Sequence, residues 1–536
     1  MHRATLLGVL LVMTMTVGDV AAQVPPDERA ALLALYSATN GAGWTDNTGW
    51  DTATVDTECT WFGVTCSGGN VVALLLTSNS LNGNIPSELG DLGNLASLDL
   101  ALNQLSGSIP PELGGLGQLE IFSMYSNQLT GSIPPELGSL GNLTTLFLGN
   151  NQLDGSIPSE LGSLTNLTQL FLNSNQLTGS IPPELGDLAA LSALALYANQ
   201  LDGSIPPELG DLDQLTVLAA YANQLTGSIP PELGDLGSLT SLSVYANQLS
   251  GNIPPELGDL ENLAGLYLNA NQLTGSIPPE LGALGNLTHL SLGGNQLSGS
   301  IPPELGDLDN LTELYLNTNQ LSGAIPPELG ALDNLTDLGL YVNQLTGSIP
   351  PELGALGNLT LLRIHGNTLN GSIPTEVAAL VNLNPADTDL GYNALWTDDA
   401  SLQAFLASRD ADWDQTQTIA PTDVAAGSET ASSFVADWTP ITYTWHDGWY
   451  SVEAPADGIF FSGFETGDAA VWGTGSSSLP GSVTTIDKTD NSILVDGLQP
   501  NTEYPFVVRT VTEPHPANLN QVVSEPSSVV FAATTS

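Results

Sequence analysis

The chain has 536 residues, of which 41% are hydrophobic and only 12% charged, about half the charged fraction of an average soluble domain. Six Lys and Arg against 57 Asp and Glu give a formal net charge of -51, which excludes a nucleic-acid binder relying on a basic groove and a polybasic membrane anchor. Two cysteines exclude a disulfide-rich scaffold and a Cys-rich zinc or iron–sulfur site, and a mean hydropathy of +0.10 excludes wholesale disorder despite 56 Gly and 35 Pro.

Residues 1–22 read as a secretory signal peptide. Arg3 precedes an apolar run from Leu6 to Val17, and Val20-Ala21-Ala22 supplies the small residues a signal peptidase reads. The expected product is exported and begins near Gln23. No later window reaches the 18 or more apolar residues of a membrane span. Export permits a disulfide, and Cys59 with Cys66 is the one pair available.

Asparagine then recurs thirteen times at intervals of 24, from Asn79 to Asn367, without an insertion or deletion. Around each lies the same frame, as in Leu167-x-x-Leu170-x-Leu172-x-x-Asn175-x-Leu177-x-Gly179-x-Ile181-Pro182-x-Glu184-Leu185. An internal period of this length means a solenoid. Leu-x-Leu is a short strand with both leucines inward. Asn carries a donor and an acceptor, and so satisfies backbone groups that the following turn leaves unpaired. Gly-x-Ile-Pro allows a second bend, and Glu-Leu-Gly-x-Leu returns the chain to the next strand. No coil buries its leucines alone, so neighbouring coils must stack.

This frame resembles the plant-specific 24-residue class of leucine-rich repeats, in an exported bacterial form. The resemblance covers residues 71–390 and implies a right-handed, curved α/β solenoid with parallel strands on its concave face. Residues 23–70 resemble that class's N-terminal cap, with a helix around Arg29 to Ser37, then Trp44, Trp50 and the Cys59 to Cys66 segment. Residues 391–418, with Trp396, the run Ala400 to Ala407 and Trp413, resemble a closing cap.

From residue 419 to 536 the leucine frame gives way to short alternating strands: Ser433 to Trp438, Trp449 to Glu453, Ser492 to Val495 and Tyr504 to Val511. Leu498-Gln-Pro500-Asn-Thr-Glu-Tyr504 and Trp438 resemble the signature and core tryptophan of fibronectin type III domains, implying an all-β sandwich. The Gly/Ser-rich stretch from Ala456 to Leu479 is longer than the usual connection in that fold.

Catalytic patterns are missing. The histidines after residue 22, His289, His365, His446 and His515, show no metal-ligand spacing, and there is no H-E-x-x-H, G-x-S-x-G or P-loop. Neither an enzyme nor a cofactor is expected. A glutamate recurs in every coil from Glu88 to Glu376. Stacked carboxylates roughly 5 to 10 Å apart repel by only about 0.4 to 0.8 kcal/mol in water, and no second oxygen ligand recurs to make a calcium site. These glutamates therefore read as solvated residues capping a short helical turn.

The outward strand positions four and two residues before each Asn carry Tyr125, Phe147, Phe171, Tyr197, Tyr221, Tyr245, Tyr267, Tyr315 and Tyr341. Such a track stabilises parallel strands by stacking and also suits an extended peptide or a sugar chain. The same positions in the last regular coil hold Arg363 and His365. Some plant receptors of this repeat class carry an Arg-x-Arg pair there that receives a peptide's terminal carboxylate, so the resemblance extends the expected binding face to this pair; the competing reading is an Arg363 paired with nearby acids. The expected function is an exported or cell-surface recognition protein binding a protein, peptide or polysaccharide, with no nucleic-acid partner. The alternatives are an inhibitor of an extracellular hydrolase and an ice- or surface-binding protein, the latter from rows of Thr and Ser beside Gly-Ser-Ile-Pro.

Overall fold

The computed structural model describes residues 23–50 and 56–417 and eight short backbone strands between 422 and 533. The expected signal peptide at 1–22, the 456–479 stretch and the side chains of Trp438 and Tyr504 lie outside the described residues. The chain divides into two compact units, Met1–Thr178 and Gly179–Ser536.

The first unit opens with the helix Pro26–Ala38 (α1). Pro26 sits in its first turn, where a missing N–H costs nothing, and Asp27 and Glu28 face the positive end of the helix dipole. Its inner face buries Ala31, Leu32 and Leu35. Glu28 is buried because its Oε2 accepts the Val71 N–H at 2.7 Å, and Arg29 pairs with the buried Glu58 at 2.6 Å. Tyr36, Trp44, Trp50 and Trp61 pack ring to ring beside it at 4.8–5.9 Å. Cys59 and Cys66 form the expected disulfide. It leads into an antiparallel pair, Val64–Ser67 (β1) with Asn70–Leu75 (β2). From β2 onward pairing becomes parallel: Ser97–Asp99, Ile121–Ser123, Thr145–Phe147 and Gln169–Phe171 add in register, 24 residues per step.

The second unit continues the same coil chemistry. Ala193–Ala195, Val217–Ala219, Ser241–Ser243, Gly265–Tyr267, His289–Ser291, Glu313–Tyr315, Asp337–Gly339 and Leu361–Arg363 pair in parallel. Their central leucines, from Leu194 to Leu362, are at most 1% exposed.

Each recurring Asn does what its chemistry requires. Asn271 Nδ2 donates to Val244 O and to Leu268 O, both at 3.1 Å, and its Oδ1 accepts the Leu249 N–H at 3.0 Å. One side chain thus closes the turn of its own coil and ties it to the preceding one. Asn127 does the same in the first unit, with Leu100 O, Met124 O and Leu105 N. The residue before each Asn pays for this geometry with a left-handed backbone: Ala222 at φ 53°, Thr318 at 55° and Val342 at 53°. The Glu-bearing segments are 3₁₀ turns such as Pro207–Asp211, begun by Pro. They stack so closely that a Cβ on Gly210 would stand 2.4 Å from the Glu232 carbonyl oxygen. That contact belongs to the glutamate backbone. The N-cap position of each such turn is Pro, with no side-chain cap bond, and the glutamate lies exposed two residues further on, within the first turn.

The ladder ends on a substitute. Gln417 Oε1 accepts the Leu395 N–H at 3.0 Å and its Nε2 donates to Leu390 O at 2.9 Å, the bonds an asparagine supplies elsewhere. Helix Ala400–Arg409 (α2), capped by Asp399 on Ser401 N and Leu402 N, buries Leu402 and Leu406 nearby. Beyond it, the described strands pair antiparallel: Phe434–Thr439 with Thr422–Ala426 and Ser492–Val495, and Gly448–Glu453 with Glu503–Thr512. Among the described residues no helix is long and apolar enough to cross a membrane.

Candidate binding face

Alternation along each short strand sends the residues six, four and two places before the Asn to the same outward face. In the first unit Phe147 stacks on Phe171 at 4.6 Å and 14°, while Tyr125, two places before its Asn, is 38% exposed. In the second unit Tyr197, Tyr221 and Tyr245 form one stack, at 4.5 Å and 6° and then 4.4 Å and 9°. Parallel strands in register place identical side chains one strand spacing apart, and flat rings at that spacing stack face to face. Burial, then the adjacent Tyr197 and Tyr245 phenols, raises the Tyr221 phenol well above its ordinary range. Burial raises the Tyr245 phenol as well.

Tyr267 and Tyr315 occupy the column four places before Asn. Tyr267 leans over Gly265, where a Cβ would meet its ring at 2.7 Å, and Tyr315 leans over Gly339, where a Cβ would meet it at 2.8 Å. Burial, then Asp337 and Glu313, pushes the Tyr315 phenol up to about 12. Tyr341 stacks on His365 at 4.7 Å and 15°.

Arg363 and His365 border an open hollow of about 640 Å³, also lined by Tyr341, Asp389, Tyr392 and Asp410. Arg363 Nη2 holds Asp387 Oδ1 at 2.8 Å, so the paired reading of this arginine describes its resting contact. His365 Nδ1 stands 3.0 Å from Asp389 Oδ2 but without hydrogen-bond alignment. Burial lowers the His365 pKa, against the opposing pull of Asp389. Asp410, 7% exposed, accepts the Leu390 N–H at 2.9 Å, and burial pushes its carboxyl up to about 7.

Residues on the third outward position were not anticipated. His289, Glu313 and Asp337 lie six places before their Asn, with His289 Nε2 3.4 Å from Glu313 Oε1 and the His289 ring 6.2 Å from Tyr267. The signal was available, because the period of two that marks the other positions extends one step further toward the N-terminus.

The Leucine rich repeat N-terminal domain matches residues 25–67, Leucine Rich Repeat matches 94–116, 118–140, 238–260 and 262–284, and Leucine Rich repeats (2 copies) match 141–185 and 285–327. No curated protein matches the chain. Among solved structures, PEPR1 with AtPEP1 is 35% identical over 69% of this chain and 59% of that one, with a TM-score of 0.61. The plant peptide hormone receptor RGFR1 with RGF2 is 38% identical over 60% and 55%, with a TM-score of 0.56. The Arabidopsis receptor kinase HAESA, in complex with the peptide hormone IDA and the co-receptor SERK1, is 30% identical over 69% and 70%, with a TM-score of 0.52. The chain belongs to the leucine-rich repeat proteins, with repeats and an N-terminal repeat domain. It spans 59% and 55% of the first two receptor chains it matches.

Proposed function

We propose that this protein is an extracellular, non-enzymatic recognition protein that binds an extended peptide across the outward strand face of its repeats. The observation that carries this is the Tyr197–Tyr221–Tyr245 stack. A sugar chain is gripped by the faces of aromatic rings, yet here the inner faces are covered by each other. What the stack offers a ligand is ring edges and a row of hydroxyls, which suit a peptide's carbonyls and apolar side chains. Similarity to receptors solved with peptide hormones supports the peptide class over the polysaccharide class. Arg363 and His365 close the track, and a ligand carboxylate reaching Arg363 would have to displace Asp387. In this reading residues 1–22 direct export, 23–70 and 391–418 cap the 71–390 repeats, and 419–536 form a fibronectin type III-like spacer.

The test is selection of a random peptide display library on the full chain, followed by the variant Tyr197→Ala/Tyr221→Ala/Tyr245→Ala. Selected peptides should lose at least tenfold in affinity while the circular dichroism spectrum is kept. Undiminished binding would assign the stack to stability alone.

A further inference from the structure

The aromatic residues of the second unit do not run straight. Tyr245 lies two places before its Asn, Tyr267 four, His289 six, Tyr315 four and Tyr341 two. The register Tyr267↔Ser291↔Tyr315 and Gly265↔His289↔Glu313 makes this an arc, symmetric about the His289–Ser291 strand. Within the arc stand only small or amide side chains: Ser291, Gly293, Asn269 and Asn317. Wherever rings of one column follow each other directly they stack at 4.4–4.7 Å. Between Tyr267 and Tyr315 one such step is vacant, their strands standing about 9.6 Å apart, two strand spacings. Tyr267 leans across its own strand over Gly265, Tyr315 leans toward the following coil over Gly339, and Ser291 at the floor of the step is half-buried. The neighbouring position, Gly293, has no side chain of its own and is covered by the Asn317 amide, whose Oδ1 would stand 2.7 Å from a Cβ built there.

We propose that this gap is a subsite for a single aromatic side chain of the bound peptide, which seats above Ser291 as the missing rung between Tyr267 and Tyr315. The inference rests on the peptide reading above and names the residue class that the peptide must carry. A planar ring entering here gains contact on both faces as Tyr267 and Tyr315 swing back from Gly265 and Gly339, a slot that the closed Tyr197–Tyr221–Tyr245 stack does not offer. An aliphatic side chain gains less, because it fills the slot without stacking. His289 forms the back of the arc, and the Asn269 and Asn317 amides border its open side, placed for the peptide backbone.

The experiment uses the full chain and two probes, N-acetyl-tryptophanamide and N-acetyl-leucinamide, with binding followed by saturation-transfer NMR. The tryptophan probe should bind at least tenfold more tightly. Ser291→Tyr supplies the rung from the chain itself and should weaken the probe at least tenfold, while Ser291→Ala should stay within twofold. Should Ser291→Tyr not fold, Tyr267→Leu/Tyr315→Leu removes both walls and should give the same loss. Equal binding of the two probes, or full tryptophan binding to folded Ser291→Tyr, would overturn the subsite. Selected peptides separate the two levels of the argument. Peptides that need Tyr197, Tyr221 and Tyr245 but bind Ser291→Tyr unchanged overturn the subsite and leave the peptide reading standing. A tryptophan probe that binds as expected, on a chain that selects no peptide, does the reverse.

Discussion

Replacing Asn271 by Ala tests whether the recurring asparagine is the fastener that its bonds describe. Apart from a long 3.5 Å bond to Asn269 O, three bonds are lost, and two of them are cushioned: Val244 O keeps the Asn247 donor at 3.0 Å, and Leu268 O keeps the Asn295 donor at 3.1 Å. The Leu249 N–H has no such second partner in the ladder, and its residue is fully buried. One orphaned N–H costs about 1–3 kcal/mol and each cushioned bond about 1 kcal/mol, so Asn271→Ala should destabilise by roughly 3–5 kcal/mol. Asn271→Asp sharpens the argument. It keeps the acceptor for Leu249 but aims a buried anion at two carbonyl oxygens, so at pH 7 it should cost at least as much as Ala despite its nearly identical shape. Acid should relieve it, because the protonated carboxyl donates again. Urea unfolding followed by far-ultraviolet circular dichroism, with hydrogen exchange at Leu249, measures both variants. A cost below 1 kcal/mol for Ala, or an Asp variant more stable than Ala at pH 7, would refute the reasoning.

Three further substitutions follow from the same geometry. Gly210→Ala places a methyl 2.4 Å from a backbone oxygen, so that one coil must shift against the next, and should cost more than 2 kcal/mol in urea unfolding. Val342→Gly relieves a β-branched residue held at φ 53° and should raise stability by about 0.5–1 kcal/mol, read as a higher urea midpoint at unchanged slope. Asp410 has a folded-state pKa raised to about 7 from an ordinary 3.8, so the folded state retains the proton more tightly than the unfolded one. Stability should therefore fall as pH rises from about 4 to 7. Asp410→Asn, which keeps an acceptor for Leu390 N, should remove a decline on the order of 2–4 kcal/mol over that window. A wild-type and variant pair with parallel pH profiles by differential scanning calorimetry would count against the buried carboxyl.

The repeat fold was legible in the sequence because its constraints recur. One Asn in an unbroken 24-residue frame fixes strand, turn and register together, and the disulfide followed from having a single cysteine pair. Three things were less legible. The close approach of Gly210 to the Glu232 backbone depends on how coils nest, and a leading Pro-Glu-Leu-Gly draws attention to the glutamate side chain instead. Gln417 does an asparagine's work after the frame has ended, so no period announces it. Asp387, Asp389, Asp410 and Asp412 gather near Arg363 and His365 only through the path of the closing segment, which local patterning does not specify.

The outward face obeys a different rule from the core, and this explains why recognition can vary while the fold does not. Leu194 through Leu362 must stay apolar because each is sealed by its neighbours. Six, four and two places before each Asn, however, the chain accepts Tyr, His, Ser, Gly, Asp or Arg without disturbing the ladder, since the backbone bonds are made by the strand and the Asn alone. Moving an aromatic ring by two residues shifts it sideways across the face by one column, and leaving one out opens a slot of fixed width between its neighbours. Stacked tyrosines and empty rungs are thus interchangeable settings of one periodic surface. The straight run at Tyr197–Tyr245 fills every rung, whereas the arc around Ser291 leaves one for a ring the chain does not supply.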